Sequence, residues 1–467
     1  MATVSTNYTD KRVDEILSGK YPAKAHAEKV ANYLRKIVPG LTDGLIFLES
    51  QKSRLHEDCD QEAEFRQRRA FFYLSGCNLP DSYVTYHLTS RTLTLYIPPL
   101  DPAEVVWCGL PLSPEQAMQK YDVDAVRTTA DLESDFELAA SNVTNIFAIA
   151  HKEIHPALPR SANTSLLHDA INECRVTKSP YEVALIRRAN QITAGAHRLC
   201  MSSIKKSKNE RELQGLFLGH CIASGAPGQA YTGIFGAGKA AATLHYIHNN
   251  ASLEGKQLLL LDAGCEYDNY ASDVTRTFPI SGEFTKEGRQ IYDIVLKMQK
   301  ETMAQCKAGN NWDDIHTLAH RVAIQGLLDI GVLHNGTVDE ILESRTSTAF
   351  LPHGLGHYLG MDTHDTGGHP NYQDKDKMFC YLRKRGPLPT GAVITVEPGL
   401  YFCEFIIKPF LSDAKHSKYI NAEVLEKYWD VGGVRIEDNI LITDDGYENL
   451  TSVEKEAEEV TKIINGA

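Results

Sequence analysis

The chain has 467 residues and a formal net charge of −13, since 61 aspartates and glutamates outnumber 48 lysines and arginines. An acidic balance without a basic run argues against nucleic acid or an anionic membrane as a partner. No apolar stretch reaches the roughly 20 residues that a membrane-spanning helix needs, and the start, MATVSTNYTDKRVDE, lacks an apolar signal segment. We therefore expect a cytoplasmic protein, and the length predicts two domains.

The first part of the chain predicts alternating helices and strands. Residues 23–38 have apolar side chains at helical spacing, whereas residues 44–50 and 92–99 are typical of short strands between turns. Residues 69–76, RAFFYLSG, are interpreted as a further strand that ends at a glycine. The stretch 151–174, with HPALPRSANTS near its start, is the predicted linker.

The second part of the chain predicts helices that surround a sheet. Four helices are predicted, and they begin near Pro180, Ser207, Thr285 and Trp312. The first two carry the spacing of a capping box, Ser179 with Glu182 and Ser207 with Glu210. Helices on the outside of a curved, mainly antiparallel sheet would leave some strand residues facing a central pocket.

Four acidic residues lie in segments that predict strands. LLLLDAG is typical of a buried strand that ends at Asp262, and ASDVTRTFPI, with Asp273, predicts the second arm of a hairpin. Glu397 follows the β-branched run in AVITVEPGLYF, and Glu437 lies in GGVRIEDNILIT, on the strand face opposite Val434. Acids in such positions need a partner, because an unpaired buried charge is costly.

A fifth candidate ligand is His357, in PHGLGHYLG. If it shares one pocket with the four acids, even a well-screened pair of carboxylates repels by about 1–4 kcal/mol, and two divalent cations would cancel that repulsion. An oxygen-rich set with one nitrogen and no thiolate favours manganese, although zinc or cobalt would also bind. His353 and His357 have the spacing of a zinc-protease helix, but the intervening GLG supplies neither its glutamate nor its helix propensity.

Five short segments carry a family resemblance. DAG, SDVTRTF, HGLGHYLGMDTHD, VEPGLYF and GGVRIED occur in this order, and together they resemble the dinuclear metallopeptidases of the pita-bread fold, most of all Xaa-Pro aminopeptidases and prolidases. The resemblance implies an α/β creatinase-like N-terminal domain over residues 1–172, with roles in dimer contact and in covering the active site. It also implies an α+β pita-bread catalytic domain over residues 173–467, with a curved, mainly antiparallel sheet.

The resemblance implies how the five ligands divide between two metal ions. Asp273 and Glu437 would bridge both ions. Asp262 would complete the shell of one ion, while His357 and Glu397 would complete the shell of the other. A water acidified by both ions would attack the scissile carbonyl, and Glu397 would accept its proton.

Further side chains are implied to act on the substrate. His364 would take part in substrate binding or proton shuttling, while His353 and His245 would hold the substrate and shape the proline pocket. Arg435 would orient a ligand carboxylate or gate the substrate, and Tyr231 is a candidate for the rim of the metal site. For each of these side chains, a structural role with internal hydrogen bonds is the alternative.

Substrate length depends on a basic loop. YLRKRGPLPTG contains Arg383, Lys384 and Arg385 and resembles the prolidase loop whose arginine holds the proline carboxylate. The resemblance implies that Arg383 has this role, with a solvated basic surface as the alternative. We predict an enzyme that removes the residue before a penultimate proline and also splits Xaa-Pro dipeptides. Strict dipeptidase activity is the close alternative, and methionine aminopeptidase activity or a metal-free binding module are lesser ones. The expected partners are a peptide with proline in second position and a second copy in a homodimer.

Overall fold

The computed structural model describes residues 10–150, 156 and 158–466. The chain divides into two compact units, one that contains Asp14–Arg175 and one that contains Val176–Ala467. Within the described ranges, no helix combines the length and the apolar character that crossing a bilayer requires.

The N-terminal unit is built on a five-stranded mixed sheet. Its strands are β1 (Leu45–Glu49), β2 (Tyr83–His87), β3 (Thr92–Ile97), β4 (Ala125–Thr128) and β5 (Ile146–Ala148), in the order β4-β3-β2-β1-β5. The pairs β1/β2 and β2/β3 are antiparallel, whereas β3/β4 and β1/β5 are parallel. The helices before residue 176 are α1 (Asp10–Leu17), α2 (Ala23–Ile37), α3 (Arg69–Ser75), α4 (Val105–Cys108), α5 (Pro114–Lys120), α6 (Leu132–Ser141) and α7 (Leu167–Arg175), and the unit boundary falls within α1, after Val13. The α/β prediction for this part is confirmed.

The strand predicted at residues 69–76 is wrong, because this segment forms α3. Residues 71–75 are all buried, so apolar side chains surround the helix and leave no helical periodicity to recognise. Gly76 ends the helix in the left-handed conformation, with φ 63°, and its N–H donates to the Phe72 carbonyl. Gly76 therefore marks the end of a helix and not the end of a strand.

The predicted linker is shorter than residues 151–174. Helix α7 occupies its last part and buries Leu167, Ala170 and Ile171. Residues 151–155 and 157 lie outside the described residues. The unit boundary falls between Arg175 and Val176.

The C-terminal unit has four small sheets in the described residues, and every ladder in them is antiparallel. Its strands are β6 (Gly228–Gln229), β7 (Ile234–Ala237), β8 (Leu258–Asp262), β9 (Cys265–Tyr267), β10 (Tyr270–Ala271), β11 (Thr275–Pro279), β12 (Val393–Val396), β13 (Gly399–Tyr401), β14 (Gly433–Arg435), β15 (Asp438–Ile442) and β16 (Tyr447–Asn449). Its helices are α8 (Pro180–Ser203), α9 (Glu210–Ala223), α10 (Lys286–Met303), α11 (Trp312–Asp329), α12 (Val338–Ser344), α13 (Glu404–Ser412), α14 (Ala414–Ser417), α15 (Ala422–Leu425) and α16 (Ala457–Asn465).

Of the helices predicted in this unit, α8 and α10 begin at the expected capping residues, and α9 does not. The capping box of Ser179 and Glu182 forms at the start of α8, and the Thr285 side chain accepts from Gly288 N–H at the start of α10. Helix α9 is capped by Asn209 instead of Ser207. The predicted box is wrong there because Asn209 lies nearer the helix and its side chain already accepts an orphan N–H.

The four strand-associated acids all lie where a ladder ends. Asp262 is the last residue of β8 and pairs with Thr275, the first residue of β11, while Asp273 precedes β11 by two positions. Glu397 separates β12 from β13, and Glu437 separates β14 from β15. In a continuous strand, successive side chains point to opposite faces of the sheet, but at a break a side chain can point elsewhere. The strand breaks therefore allow the four acidic side chains to point toward one common site.

Candidate metal centre

The five predicted metal ligands come together in the structure. One ligand atom from each of Asp273, His357 and Glu437 lies within 4.8 Å of the others, and all three residues are buried. His357 Nε2 is also 3.3 Å from Glu397 Oε1. Asp262 joins the cluster through Tyr231, whose hydroxyl bonds the carboxylates of both Asp262 and Asp273.

His357 presents one ring nitrogen to the acids. Its Nδ1 lies 3.0 Å from the Tyr358 carbonyl, which can only accept, so Nδ1 carries the proton of the neutral ring and Nε2 is a bare acceptor. Nε2 lies 3.4 Å from Asp273 Oδ2. Burial lowers the pKa of His357, but the hydrogen bond to Asp273 and the charge of Glu397 raise it overall. The acids near Nε2 attract positive charge to this nitrogen, and a metal ion could take the place of the proton there.

Glu437 has one satisfied and one unsatisfied carboxylate oxygen. The Thr275 hydroxyl donates to Oε2 over 2.7 Å, whereas Oε1 is buried and has no hydrogen-bond partner. A buried carboxylate oxygen without a donor is costly. A bound cation would give Oε1 the partner that the protein does not provide.

Tyr231 offers one hydroxyl proton to two carboxylates, those of Asp262 and Asp273. Its hydroxyl is 2.6 Å from Asp262 Oδ1 and also bonds Asp273 Oδ1. Burial and the nearby carboxylates raise its pKa well above the usual value, so the phenol keeps its single proton, which it can donate to only one of them. A cation would satisfy the other.

The charges of the centre do not balance within the protein. Burial raises the pKa of Asp262, Glu397 and Glu437, that of Glu397 to about 7. Burial acts on Asp273 in the same direction, but bonding to His357 leaves its pKa below the usual value. Among the described residues, Arg435 is the guanidinium that bonds one of these carboxylates, that of Asp262. One positive charge against four acids leaves a deficit that divalent cations fit.

Arg435 and His353 are linked through Tyr401. Arg435 Nη1 donates to the Tyr401 hydroxyl over 2.8 Å, and that hydroxyl lies 2.9 Å from His353 Nε2. His353 Nδ1 donates to the Gly354 carbonyl at 2.8 Å, so Nε2 accepts from Tyr401. Burial, followed by the charge of Arg435, lowers the pKa of His353 to about 3. His353 is thus a neutral ring with both nitrogens bonded inside the protein.

His364 and His245 lie at the edge of this centre. The His364 ring meets His357 edge-on, with centroids 4.4 Å apart, and both His364 and His245 are exposed. Partial burial and the charge of His357 lower the pKa of His364, and His245 contributes to the same shift. The His364 loop is anchored by a buried ion pair between its neighbour Asp365 and Lys178, with Nζ 2.9 Å from Oδ2.

The three basic residues of the loop have different surroundings. Arg385 forms ion pairs with Asp313 and Asp374, and Lys384 is buried with its amine bonded to the Arg385 carbonyl. Arg383 is half-buried and donates to the Tyr372 hydroxyl over 3.4 Å. Neither Arg383 nor Lys384 forms an ion pair with an acid within the described residues, but the Lys384 amine is buried and bonded to a carbonyl, whereas Arg383 is half-buried.

Sequence reasoning missed two residues of the centre, Thr275 and Tyr401. Both are hydrogen-bonding residues at the end of a short strand near an acid, Thr275 two positions after Asp273 and Tyr401 four after Glu397. Threonine and tyrosine are common in strands for packing reasons alone. Their position beside the acids was therefore the available signal.

Comparisons with known proteins identify the family of this chain. Residues 184–444, which include all five predicted ligands, match metallopeptidase family M24, and residues 26–147 match the N-terminal domain of aminopeptidase P. A probable Xaa-Pro aminopeptidase of Tuber melanosporum is 63% identical over 458 residues, which cover 98% of this chain and 100% of that protein.

Solved structures extend the agreement to the whole fold. Two structures of aminopeptidase P from Escherichia coli, one with the inhibitor Pro-Leu and one zinc-substituted and in complex with product, each have a TM-score of 0.77 and 27% identity to this chain. Each comparison covers 96% of this chain and 99% of the other. The chain belongs to metallopeptidase family M24. The predicted two-domain fold with an antiparallel catalytic unit is confirmed.

Proposed function

We propose that this chain is a metal-dependent Xaa-Pro aminopeptidase, which removes the residue before a penultimate proline. The observation that carries the proposal is the buried group of Asp273, His357 and Glu437, whose ligand atoms lie within 4.8 Å of one another. The 63% identity to a probable Xaa-Pro aminopeptidase supports the specificity. The test is hydrolysis of an Xaa-Pro-Xaa tripeptide by manganese-loaded protein, and faster cleavage of a Met-Ala-Xaa control would favour a methionine aminopeptidase.

The centre is proposed to hold two divalent ions, manganese in preference to zinc or cobalt. Carboxylate oxygens with one imidazole nitrogen and no thiolate support the harder metal. When bound, the ions would acidify a water and polarise the scissile carbonyl. Asp273 and Glu437 are assigned as shared ligands, Asp262 to one ion, and His357 and Glu397 to the other.

Glu397 is proposed to hold the proton that the attacking water loses. Its side chain is 17% exposed, compared with 6% for Asp273 and 12% for Asp262, so among these acids it is best placed to meet substrate. His364 is proposed to move a proton or bind substrate from the exposed side of His357. Because both nitrogens of His353 are bonded within the protein, its proposed part is to shape the pocket together with His245.

Arg383 is proposed to bind the carboxylate of a dipeptide's proline. The support is that Lys384 and Arg385 are held by other contacts while Arg383 has no acidic partner in the described residues. An arginine is suited to this task because its planar group can bond both carboxylate oxygens. Cleavage of Xaa-Pro dipeptides as well as longer peptides follows, and strict dipeptidase activity remains the alternative that paired substrates would reveal.

Residues 1–172 are proposed to provide dimer contact and to cover the active site. Exposed apolar side chains in this part support an association surface, with Val106 82% and Trp107 81% exposed. A cytoplasmic location is proposed too, and its support is that all ten cysteines are unpaired thiols.

A further inference from the structure

Thr275 lies between two charged groups of the metal centre. Its Oγ1 is 2.7 Å from Glu437 Oε2 and 3.1 Å from Arg435 Nε. A guanidinium nitrogen can only donate, so the hydroxyl accepts from Arg435 and directs its own proton to Glu437. Thr275 is completely buried, as is most of both partners, so bulk water does not compete for these bonds.

Other groups already fix the main chain around these side chains. Glu437 N–H donates to the Thr275 carbonyl over 3.0 Å. The Thr277 hydroxyl accepts from Arg435 N–H at 3.1 Å and donates to the Arg435 carbonyl at 3.0 Å. The Thr275 hydroxyl therefore acts on the side chains of Arg435 and Glu437, while the alignment of their backbones has separate support.

Removing that hydroxyl would leave a donor and an acceptor facing one another. Arg435 uses Nη1 for Tyr401 and Nη2 for Asp262, and Nε for Thr275. Without the hydroxyl, Nε becomes a buried donor that lacks a partner, and the carboxylate on the other side of the gap is Glu437. Opposite charges in a buried site attract strongly, so Arg435 would compete with metal ions for Glu437.

We propose that Thr275 is a positioning residue that keeps Glu437 available as a metal ligand by separating it from Arg435. Its hydroxyl engages Oε2 and leaves Oε1, which is buried and without a partner, as the free ligand atom. The inference rests on the proposed function, because it concerns the carboxylate assigned there as shared between two ions.

The test compares three variants of the full chain. Thr275→Val removes the hydroxyl at nearly constant volume, Thr275→Ser restores it, and Thr277→Val removes an equally buried hydroxyl that touches the Arg435 main chain alone. Manganese stoichiometry and affinity are measured by calorimetry, and kcat and KM are measured on an Xaa-Pro-Xaa peptide. Thr275→Val should weaken the more weakly held ion by about 10- to 100-fold and lower kcat more than it changes KM. Thr275→Ser should recover both properties, and Thr277→Val should keep the wild-type affinity.

Equal manganese affinity in the two valine variants would overturn the inference, as would a serine variant that fails to recover. If Thr275→Val does not fold, Thr275→Cys, with a weak S–H donor, replaces it. Partial loss of affinity in the cysteine variant supports the role, and wild-type affinity contradicts it. A wild-type chain that binds no manganese, or binds it and leaves the Xaa-Pro peptide intact, would instead contradict the proposed function.

Discussion

The acids of the candidate metal centre and the basic loop at residues 381–391 are held in different ways. Each acid lies at a strand break and is bonded by buried neighbours, as Glu437 is by Thr275 and Asp262 is by Arg435. In the loop, Arg385 is fixed by two ion pairs, whereas the bond that Arg383 makes to the Tyr372 hydroxyl is long, at 3.4 Å. Changes in the acids should therefore stop the reaction, while changes at Arg383 should redistribute activity among substrates.

The largest effect is expected from Asp273→Asn. The amide cannot supply a second anionic oxygen to be shared between two cations, so the variant should lose turnover and bind manganese weakly. Metal analysis and peptide hydrolysis on the same preparation provide the measurement. An unchanged rate at full metal occupancy would show that Asp273 is not a bridging ligand.

His364→Ala should slow turnover while both metal ions stay bound. Proton transfer by a positioned side chain typically contributes about 100- to 10,000-fold, and His364 contacts a proposed ligand edge-on without being one. Turnover and bound manganese are measured together. Loss of manganese from this variant would make His364 a ligand, and a wild-type rate would remove it from the reaction.

Arg383→Ala should affect dipeptides far more than tripeptides. Hydrogen bonds to charged groups contribute about 1.5–3 kcal/mol, so kcat/KM for an Xaa-Pro dipeptide should fall by about 10- to 100-fold. A tripeptide carries its carboxylate one residue further along and should be nearly unaffected. Lys375→Ala, an exposed cation of the same region, is the control and should change neither rate. Equal losses on both substrates would remove the argument for carboxylate binding.

The smallest effect is on stability. Manganese that binds the folded chain alone should raise the free energy of unfolding by about 2.7 kcal/mol when its concentration is 100 times Kd. The shift, measured by thermal unfolding with and without manganese, should disappear in Asp273→Asn. A chain whose midpoint ignores manganese would argue against a metal site in the folded protein.

Much of this architecture could be predicted from the sequence. Apolar runs that end in an acid gave β8 and the position of Asp262, and serine or threonine caps gave the starts of α8 and α10. Helix α3 could not be recognised, because a helix buried on all sides has the same unbroken apolar run as a buried strand. Glu397 and Glu437 could be found as acids in strands, but their place at strand breaks depends on long-range pairing.

The supporting contacts of the centre were beyond sequence reasoning for a similar reason. Thr275 and Glu437 are 162 positions apart, and the His353 to Tyr401 bond spans 48. No local pattern reports which side chains meet over such separations. The same limit applies to the basic loop, where Arg383 was predicted to bind the carboxylate but the contacts that hold Lys384 and Arg385 could not be foreseen.

The most direct test of the account is a titration of metal-free protein with manganese, followed by calorimetry and by hydrolysis of an Xaa-Pro-Xaa peptide. The account predicts about two manganese ions per chain and an activity that rises as the two metal sites are occupied. Full activity in metal-free protein, or a saturated chain that cleaves a Met-Ala-Xaa peptide in preference to the proline peptide, would contradict it.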